Sequence, residues 1–331
     1  MEIAFFELED WEKKYFEENL KDHQLSFYGK PLTKDFGDTV SAEIISTFIY
    51  SKIDSETLSK LPNLKFIATR STGFDHIDIS KCKELDIKVG NVPSYGENTV
   101  AEHTFALILA LSRKVIDGVE ETRAGNFDLK TLRGFDLKGK TIGVIGTGKI
   151  GSRVVRMAHG FEMRIVCFDI VENSELVDKY GVKYVSLDEL MSSSDIISLH
   201  MPLNEKTKYL ISDENIGKIK KGAYIINTAR GALIKTTALL RGLKEGIVAG
   251  AGLDVLEGEA DIKEEWQILS DEFSKERMTI NLANNIILKD KRVIVTPHDA
   301  FNSAESLRRI LDTTKENIES FISGKPTNLV D

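Results

Sequence analysis

Cysteine is scarce in this chain: 331 residues contain two, Cys82 and Cys167, far apart and in no C-x-x-C pair. That excludes a disulfide framework and a zinc ribbon, and it suits a reducing cytosol. No apolar run approaches the roughly 18 residues of a membrane span. The opening MEIAFFELEDW lacks a basic stretch and meets acidic residues almost at once, so a signal peptide is not expected. Positive charge is in deficit, 44 Lys and Arg against 52 Asp and Glu, a net charge of −8. The chain therefore has no general basic field for nucleic acid or an anionic membrane, and any anion must be captured locally. The six histidines form no H-x-x-x-H or carboxylate cluster of ligand type, so no metal is expected. Solenoid-period repeats and low-complexity linkers are absent too. A cytoplasmic globular protein is the expectation.

What is present is an alternation of strand and helix patterns. At 41% hydrophobic and 29% charged residues, the composition is globular, and the length allows two domains. EIAFF, AEIISTFIY, LKFIATR and IKVGNVP read as buried strands in the first ninety-odd residues. DWEKKYFEENL and DSETLSKL read as helices between them, the second with an Asp or Ser cap. Apolar runs separated by helices indicate a parallel sheet covered on both faces. A long helical pattern, SYGENTVAEHTFALILALSRKVIDGVEETRAG, follows. Its centre is apolar on nearly every side, which places it between domains or between subunits. His103 on this helix reads as a packed or interface histidine. From Lys140 a second series supplies six strands, TIGVIG, RIVCFD, DIISLHMP, AYIINTA, IVAGAGLDV and RVIVTPH, as in a doubly wound sheet. The amphipathic SAESLRRILDTTKENIESFISG is expected to return to the first domain.

Within that second series lies Gly146-Thr-Gly148-Lys-Ile-Gly151. A G-x-G-x-x-G alone is a weak signal, because glycines also serve ordinary turns. Here a strand precedes it, a helix follows, and the next strand ends in Asp169, 18 residues after Gly151. The glycines permit close backbone approach, and the helix N-terminus offers N–H groups to a pyrophosphate. Asp169 can accept hydrogen bonds from ribose hydroxyls. Its charge repels a 2′-phosphate and no Arg follows it immediately, so NAD is favoured over NADP.

Ligands of open α/β sheets gather at the carboxyl ends of the strands. His200, Arg230, Asp254 and His298 all stand at such ends, with Glu259 five residues beyond Asp254. An Arg can fork onto a carboxylate, and a His paired with a carboxylate can exchange a proton while hydride moves. Polar strand ends are also common without any function, and spacing alone leaves both readings open.

Several stretches taken together resemble the D-isomer-specific 2-hydroxyacid dehydrogenases: IGVIGTGKIG, NTARGALI, GLDVLEGE and VTPHDAF, with RSTGFDHID and NVPSYGENTVAEHTFALILA before them. The resemblance spans nearly the whole chain. It implies an α/β protein of two Rossmann-like, doubly wound parallel-sheet domains. The NAD-binding Rossmann domain, residues 99–299, would be inserted into a flavodoxin-like substrate domain of residues 1–98 and 300–331, with the active site in the cleft. It further implies that Arg230 binds the substrate carboxylate and carbonyl oxygen, that His298 is the proton donor in keto-acid reduction, and that Glu259 favours the protonated form of His298. The backbone at Thr72 and Gly73 would hold the carboxylate, Tyr95 would be a substrate-side tyrosine, and Phe301 would line the pocket. Gly146, Gly148, Lys149, Ile150, Gly151, Asp169, Met201, Pro202, Thr207, Thr228, Ala229 and Asp254 fall at cofactor positions, Asp254 near the nicotinamide carboxamide.

Within the resemblance, Tyr95, the absence of Pro after Glu259 (Ala260 stands there) and the long charged segment 262–291 lean toward the D-lactate dehydrogenase branch. The partner expected is then a small 2-oxo or 2-hydroxy acid. Phe301 equally suits a bulkier acid such as phenylpyruvate or a branched 2-oxo acid. A carboxylate at Glu259 disfavours the formate dehydrogenase branch, and no basic cluster for a substrate phosphate supports a phosphoglycerate dehydrogenase. The alternative from another class is an NAD-sensing corepressor-like binding protein, which long tails or a basic surface would favour. The apolar helix after Tyr95 suggests a homodimer.

Overall fold

The structure, a computed structural model, describes residues 1–34, 36, 41–259 and 275–330. The chain divides into two compact units, Met1–Tyr95 with Ser303–Asp331 and Gly96–Asn302.

The first unit is built on β1 (Glu2–Phe6), α1 (Asp10–Asn19), β2 (Gln24–Tyr28), β3 (Ile44–Thr47), α2 (Ser55–Ser59), β4 (Phe66–Thr69), α3 (Ile79–Glu84) and β5 (Lys88–Gly90). Its five strands are all parallel, in the order β2-β1-β3-β4-β5. Successive side chains of a strand point to opposite faces, and both faces are apolar here. Ala4, Phe6, Ile45 and Ile67 enter one core, while Ile3, Phe5, Ile44 and Phe66 enter the other. That is why these strands read as continuous apolar runs. β2 is a strand that the sequence patterns miss. QLSFY lies at the sheet edge and is only partly buried, so it lacks the apolar run that marks its neighbours. Of the two candidate caps of α2, Asp54 is the one used, its carboxylate accepting from the Thr57 amide at 2.9 Å.

The second unit begins with α4 (Glu97–Ser112) and α5 (Val115–Arg123). The sequence pattern predicts one continuous helix here, and the structure corrects it. Lys114 adopts a left-handed conformation, φ 52°, and the crossing segment at Gly134 and Phe135 supplies the stop. The Phe135 amide donates to the Ser112 carbonyl at 2.8 Å. A β-carbon on Gly134 would lie 2.1 Å from that carbonyl oxygen. α4 buries Ala101, Phe105, Leu107 and Ile108 within its own unit, so its apolar centre is accounted for there.

The rest of this unit comprises β6 (Thr141–Ile145), α6 (Lys149–Gly160), β7 (Arg164–Phe168), α7 (Ser174–Tyr180), β8 (Lys183–Tyr184), α8 (Leu187–Ser193), β9 (Ile196–Leu199), β10 (Ala223–Asn227), α9 (Thr236–Lys244), β11 (Val248–Leu253), α10 (Lys275–Lys289) and β12 (Val293–Val295). The sheet is parallel throughout, in the order β12-β11-β10-β9-β6-β7-β8, with one more strand than the six read from sequence. The addition, β8, is two residues long, too short to make a pattern. The order reverses between β6 and β9, the switch point at which Rossmann sheets open a crevice at their carboxyl edge. Of the long charged stretch 262–291, residues up to 274 lie outside the described residues, as does Ala260; the remainder forms α10 and leads to β12.

The chain ends in α11 (Ala304–Ile322), capped by the Ser303 hydroxyl, which accepts from the Ser306 amide. It packs in the first unit, with Leu311 and Ile318 in the core beside Phe66 and Phe16. Phe321 stacks on Phe66 at 4.5 Å between ring centroids. Among the described residues no helix is long and apolar enough to cross a membrane. Because Ile318 is fully buried in that core, Ile318→Ala is expected to cost about 2–5 kcal/mol, read as a lower urea midpoint.

Candidate active site

The glycine loop sits at the switch point, and each glycine answers a different constraint. Gly146 has φ +91°, and a β-carbon on it would lie 2.7 Å from the His200 carbonyl oxygen at the end of β9. At Gly151 a β-carbon would lie 1.9 Å from the Gly146 carbonyl oxygen, so this glycine lets α6 pack on the strand. At Gly148 a β-carbon would meet no protein atom within 4 Å. The space above Gly148 is therefore open, at the N-terminus of the twelve-residue helix α6, where the helix dipole favours a pyrophosphate. Lys149 is exposed and Ile150 half-buried on that first turn, and the Lys149 ammonium lies 3.9 Å from Glu97.

Asp169 shapes this loop as well as facing it. One carboxylate oxygen accepts from the Thr147 amide at 2.6 Å and the Thr147 hydroxyl at 3.1 Å, and the other from the Ile170 amide at 2.7 Å. Burial opposes the charge, but the hydrogen bonds from Thr147, Val171 and Ile170 outweigh it and hold the carboxyl below its usual range. Asp169 is thus an anion at the end of β7, with Ile170 and Val171 exposed beyond it. The residues fit NAD: an open phosphate site, then a fixed carboxylate for a ribose. Thr147 is the participant that sequence reasoning missed, although it lies inside the glycine motif.

The second group lies at the ends of β11 and β12. Asp254, 1% exposed, ends β11. Its oxygens accept from the Thr296 hydroxyl at 2.5 Å and from the Asp299 and Ala300 amides at 3.0 Å each. These donors bracket His298, which has φ +59°, a conformation that a non-glycine residue keeps only when its surroundings impose it. Burial pushes the Asp254 carboxyl up, against those hydrogen bonds and the nearby His103. His103 Nε2 lies 3.0 Å from the Thr296 hydroxyl, 3.6 Å from an Asp254 carboxylate oxygen and 4.0 Å from one of Asp299, so it packs directly against the site. In the same turn His298 Nδ1 meets Glu259 Oε1 at 2.7 Å. With Nδ1 engaged, Nε2 is the nitrogen left to exchange a proton.

The remaining residues stand at strand ends or loops of their own units. Arg230 follows β10, half-buried, its guanidinium donating to the Ala229 carbonyl at 2.8 Å, while Ala229 N–H is held by Asn227. Thr228 is buried, its hydroxyl 3.0 Å from that of Thr104. Beyond β9, the Thr207 hydroxyl donates to the Pro202 carbonyl at 2.7 Å, closing the turn that begins at Met201. Burial pushes the His200 imidazole down to about 3, which keeps it neutral. In the first unit, the Thr72 hydroxyl donates to the Val92 carbonyl, the Ser71 hydroxyl to the Gly73 carbonyl, and Arg309 to the Tyr95 carbonyl at 2.6 Å. Phe301 is half-buried, three residues beyond His298.

Similarity to known proteins bears on the family of the chain. The profile of the D-isomer specific 2-hydroxyacid dehydrogenase NAD binding domain matches residues 105–300. A 2-hydroxyacid dehydrogenase homolog of Schizosaccharomyces pombe is 37% identical, covering 98% of this chain and 97% of the relative. The D-lactate dehydrogenase of Escherichia coli is 34% identical over 100% of both chains. Among solved structures, D-lactate dehydrogenase from Aquifex aeolicus complexed with NAD and lactic acid superimposes with a TM-score of 0.87 at 38% identity, covering 98% of this chain and 96% of that one. The chain belongs to the D-isomer-specific 2-hydroxyacid dehydrogenase family. Its cofactor is NAD and its reaction class the NAD-dependent interconversion of 2-oxo and D-2-hydroxy acids.

The glycine geometry separates binding from folding. Gly148→Ala is expected to leave the melting temperature unchanged and weaken NADH binding by roughly tenfold, measured by fluorescence titration. Gly151→Ala should instead lower the melting temperature, because its β-carbon collides with backbone.

Proposed function

We propose that this protein is a D-lactate dehydrogenase, reducing pyruvate with NADH. The observation that carries the reading is the 2.7 Å contact between His298 Nδ1 and Glu259 Oε1 on a turn held in a left-handed conformation, in the unit that carries the NAD loop. NADH, when bound, supplies the hydride that reaches the carbonyl carbon. His298 donates the proton that the carbonyl oxygen then takes, and Glu259 holds the ring in the orientation and charge state for that transfer. Arg230 forks onto the substrate carboxylate and carbonyl oxygen and steadies the charge developing on the latter. Thr72 and Gly73 offer backbone N–H groups to the carboxylate, Tyr95 and Phe301 flank the side chain, and Asp254 lies toward the nicotinamide. The named activities of the relatives from E. coli and A. aeolicus support pyruvate as the acid.

The surface suggests how the chain assembles. Val115, Ile116 and Val119 on α5, with Phe127 and Leu129 beyond it, are exposed, the last two at 76% each. A second copy covering this apolar set would make a homodimer. The two thiols, buried and unpaired, suit the cytosol.

Purified protein should oxidise NADH with pyruvate more efficiently than with phenylpyruvate, 2-oxoisocaproate or hydroxypyruvate, and form D-lactate. Inactivity with every acid would sink the enzyme reading in favour of a cofactor-sensing binding protein, and an L product would contradict the stereochemistry. His298→Gln is expected to lower kcat by about 10²–10⁴-fold with NADH binding retained. Loss of NADH binding instead would assign His298 to the cofactor. In size-exclusion chromatography with light scattering the protein should elute at twice the chain mass, and Val119→Asp should shift it toward the monomer.

A further inference from the structure

The carboxylate two residues before Glu259 is used for something other than proton transfer. Glu257 is 5% exposed, and a buried carboxylate persists only where donors satisfy it. One oxygen accepts from the Tyr209 hydroxyl at 2.5 Å, and the other from the Thr236 amide at the start of α9 at 2.8 Å. The Glu257 carbonyl accepts from the side-chain amide of Asn284, a 1% exposed residue of α10, at 2.8 Å. Four segments therefore meet on one residue: the loop after β9, the segment after β10, the turn after β11, and α10.

Two of those segments carry reactive side chains. Arg230 opens the segment after β10, and the next residue, Gly231, would place a β-carbon 2.1 Å from the backbone of Leu256. Tyr209 holds the same segment by a second route, its amide donating to the Ala232 carbonyl at 2.8 Å. On the other side of Glu257 the chain reverses at once. Gly258 has φ +66°, and the Glu259 amide closes onto the Leu256 carbonyl. That turn points Glu257 into the interior and returns Glu259 toward His298.

We propose that Glu257, clamped by Tyr209, is a positioning residue that locks the turn bearing Glu259 to the segment bearing Arg230. The proposal rests on the reading of Glu259 and His298 as the acid–base pair. Burial and the adjacent Glu257 push the Tyr209 phenol well up, so the hydroxyl stays a donor across the working range. The other charged groups near the clamp are Lys235, paired with Asp213 at 2.6 Å and acted on by Glu257, and Glu276 on α10, which acts on Tyr209.

Tyr209→Phe and Glu257→Gln test it in the full-length protein. A less firmly held Glu259 stabilises the protonated ring less, and 2-oxo-acid reduction consumes that form. Both variants are expected to lose about tenfold in kcat, with the NADH dissociation constant within about twofold of wild type. The KM for pyruvate should rise as well, because the same change loosens the segment that bears Arg230. An unchanged kcat overturns the proposal, as does a loss of kcat that merely tracks a loss of folded protein. Should Glu257→Gln fail to fold, Tyr209→Phe decides alone, because it removes one hydroxyl from a half-buried ring. His298→Gln distinguishes the two failures. Wild-type turnover in it defeats the acid–base reading, whereas a dead His298→Gln beside unaffected Tyr209 and Glu257 variants defeats only the clamp.

Discussion

A carboxylate buried at the end of a parallel strand cannot be left without donors, and Asp254 finds all of its own in one place. The Thr296 hydroxyl and the amides of Asp299 and Ala300 converge on it from either side of His298. Such hydrogen bonds are each worth about 0.5–1.5 kcal/mol, and the three together hold His298 in its left-handed backbone conformation. The His298 imidazole is consequently placed by the needs of a neighbouring acid. The Glu259 contact on Nδ1 then orients the ring.

The same economy recurs around the sheet of that unit. Asp169 satisfies its charge on Thr147 and thereby sets the glycine loop. Glu257 satisfies its own on Tyr209 and the start of α9. Parallel strands explain why these groups gather. All seven point the same way, so every carboxyl end, with its loop and polar side chain, opens on one edge. Apolar cores cover both faces and keep that edge rigid.

Much of this is legible in the order of the amino acids. Buried parallel strands announce themselves as apolar runs, which makes the fold class plain, and the glycine spacing with Asp169 marks NAD. The features that escape such reading share a cause. β2 and β8 are a half-buried edge strand and a two-residue strand, so neither carries an apolar run. The break after α4 depends on Phe135 reaching the Ser112 carbonyl from 23 positions away, which no local pattern contains. Thr147, Tyr209, Glu257 and Thr296 are silent in the sequence because nothing in their immediate neighbours shows what they will bond. Glu257 even stands inside the GLDVLEGE motif, where Glu259 is the acid that the family resemblance marks.

Sequence by itself therefore determined the elements, the family and the chemical types at the strand ends, because these follow from periodicity, glycine placement and residue identity. Only the tertiary structure decided which acid serves which purpose. Asp254, Glu257 and Glu259 lie within six residues, yet one clamps the histidine turn, one fastens two loops together, and one meets the imidazole. What separates them is burial and the direction in which the chain turns at Gly258, and both are settled by packing against residues distant in sequence.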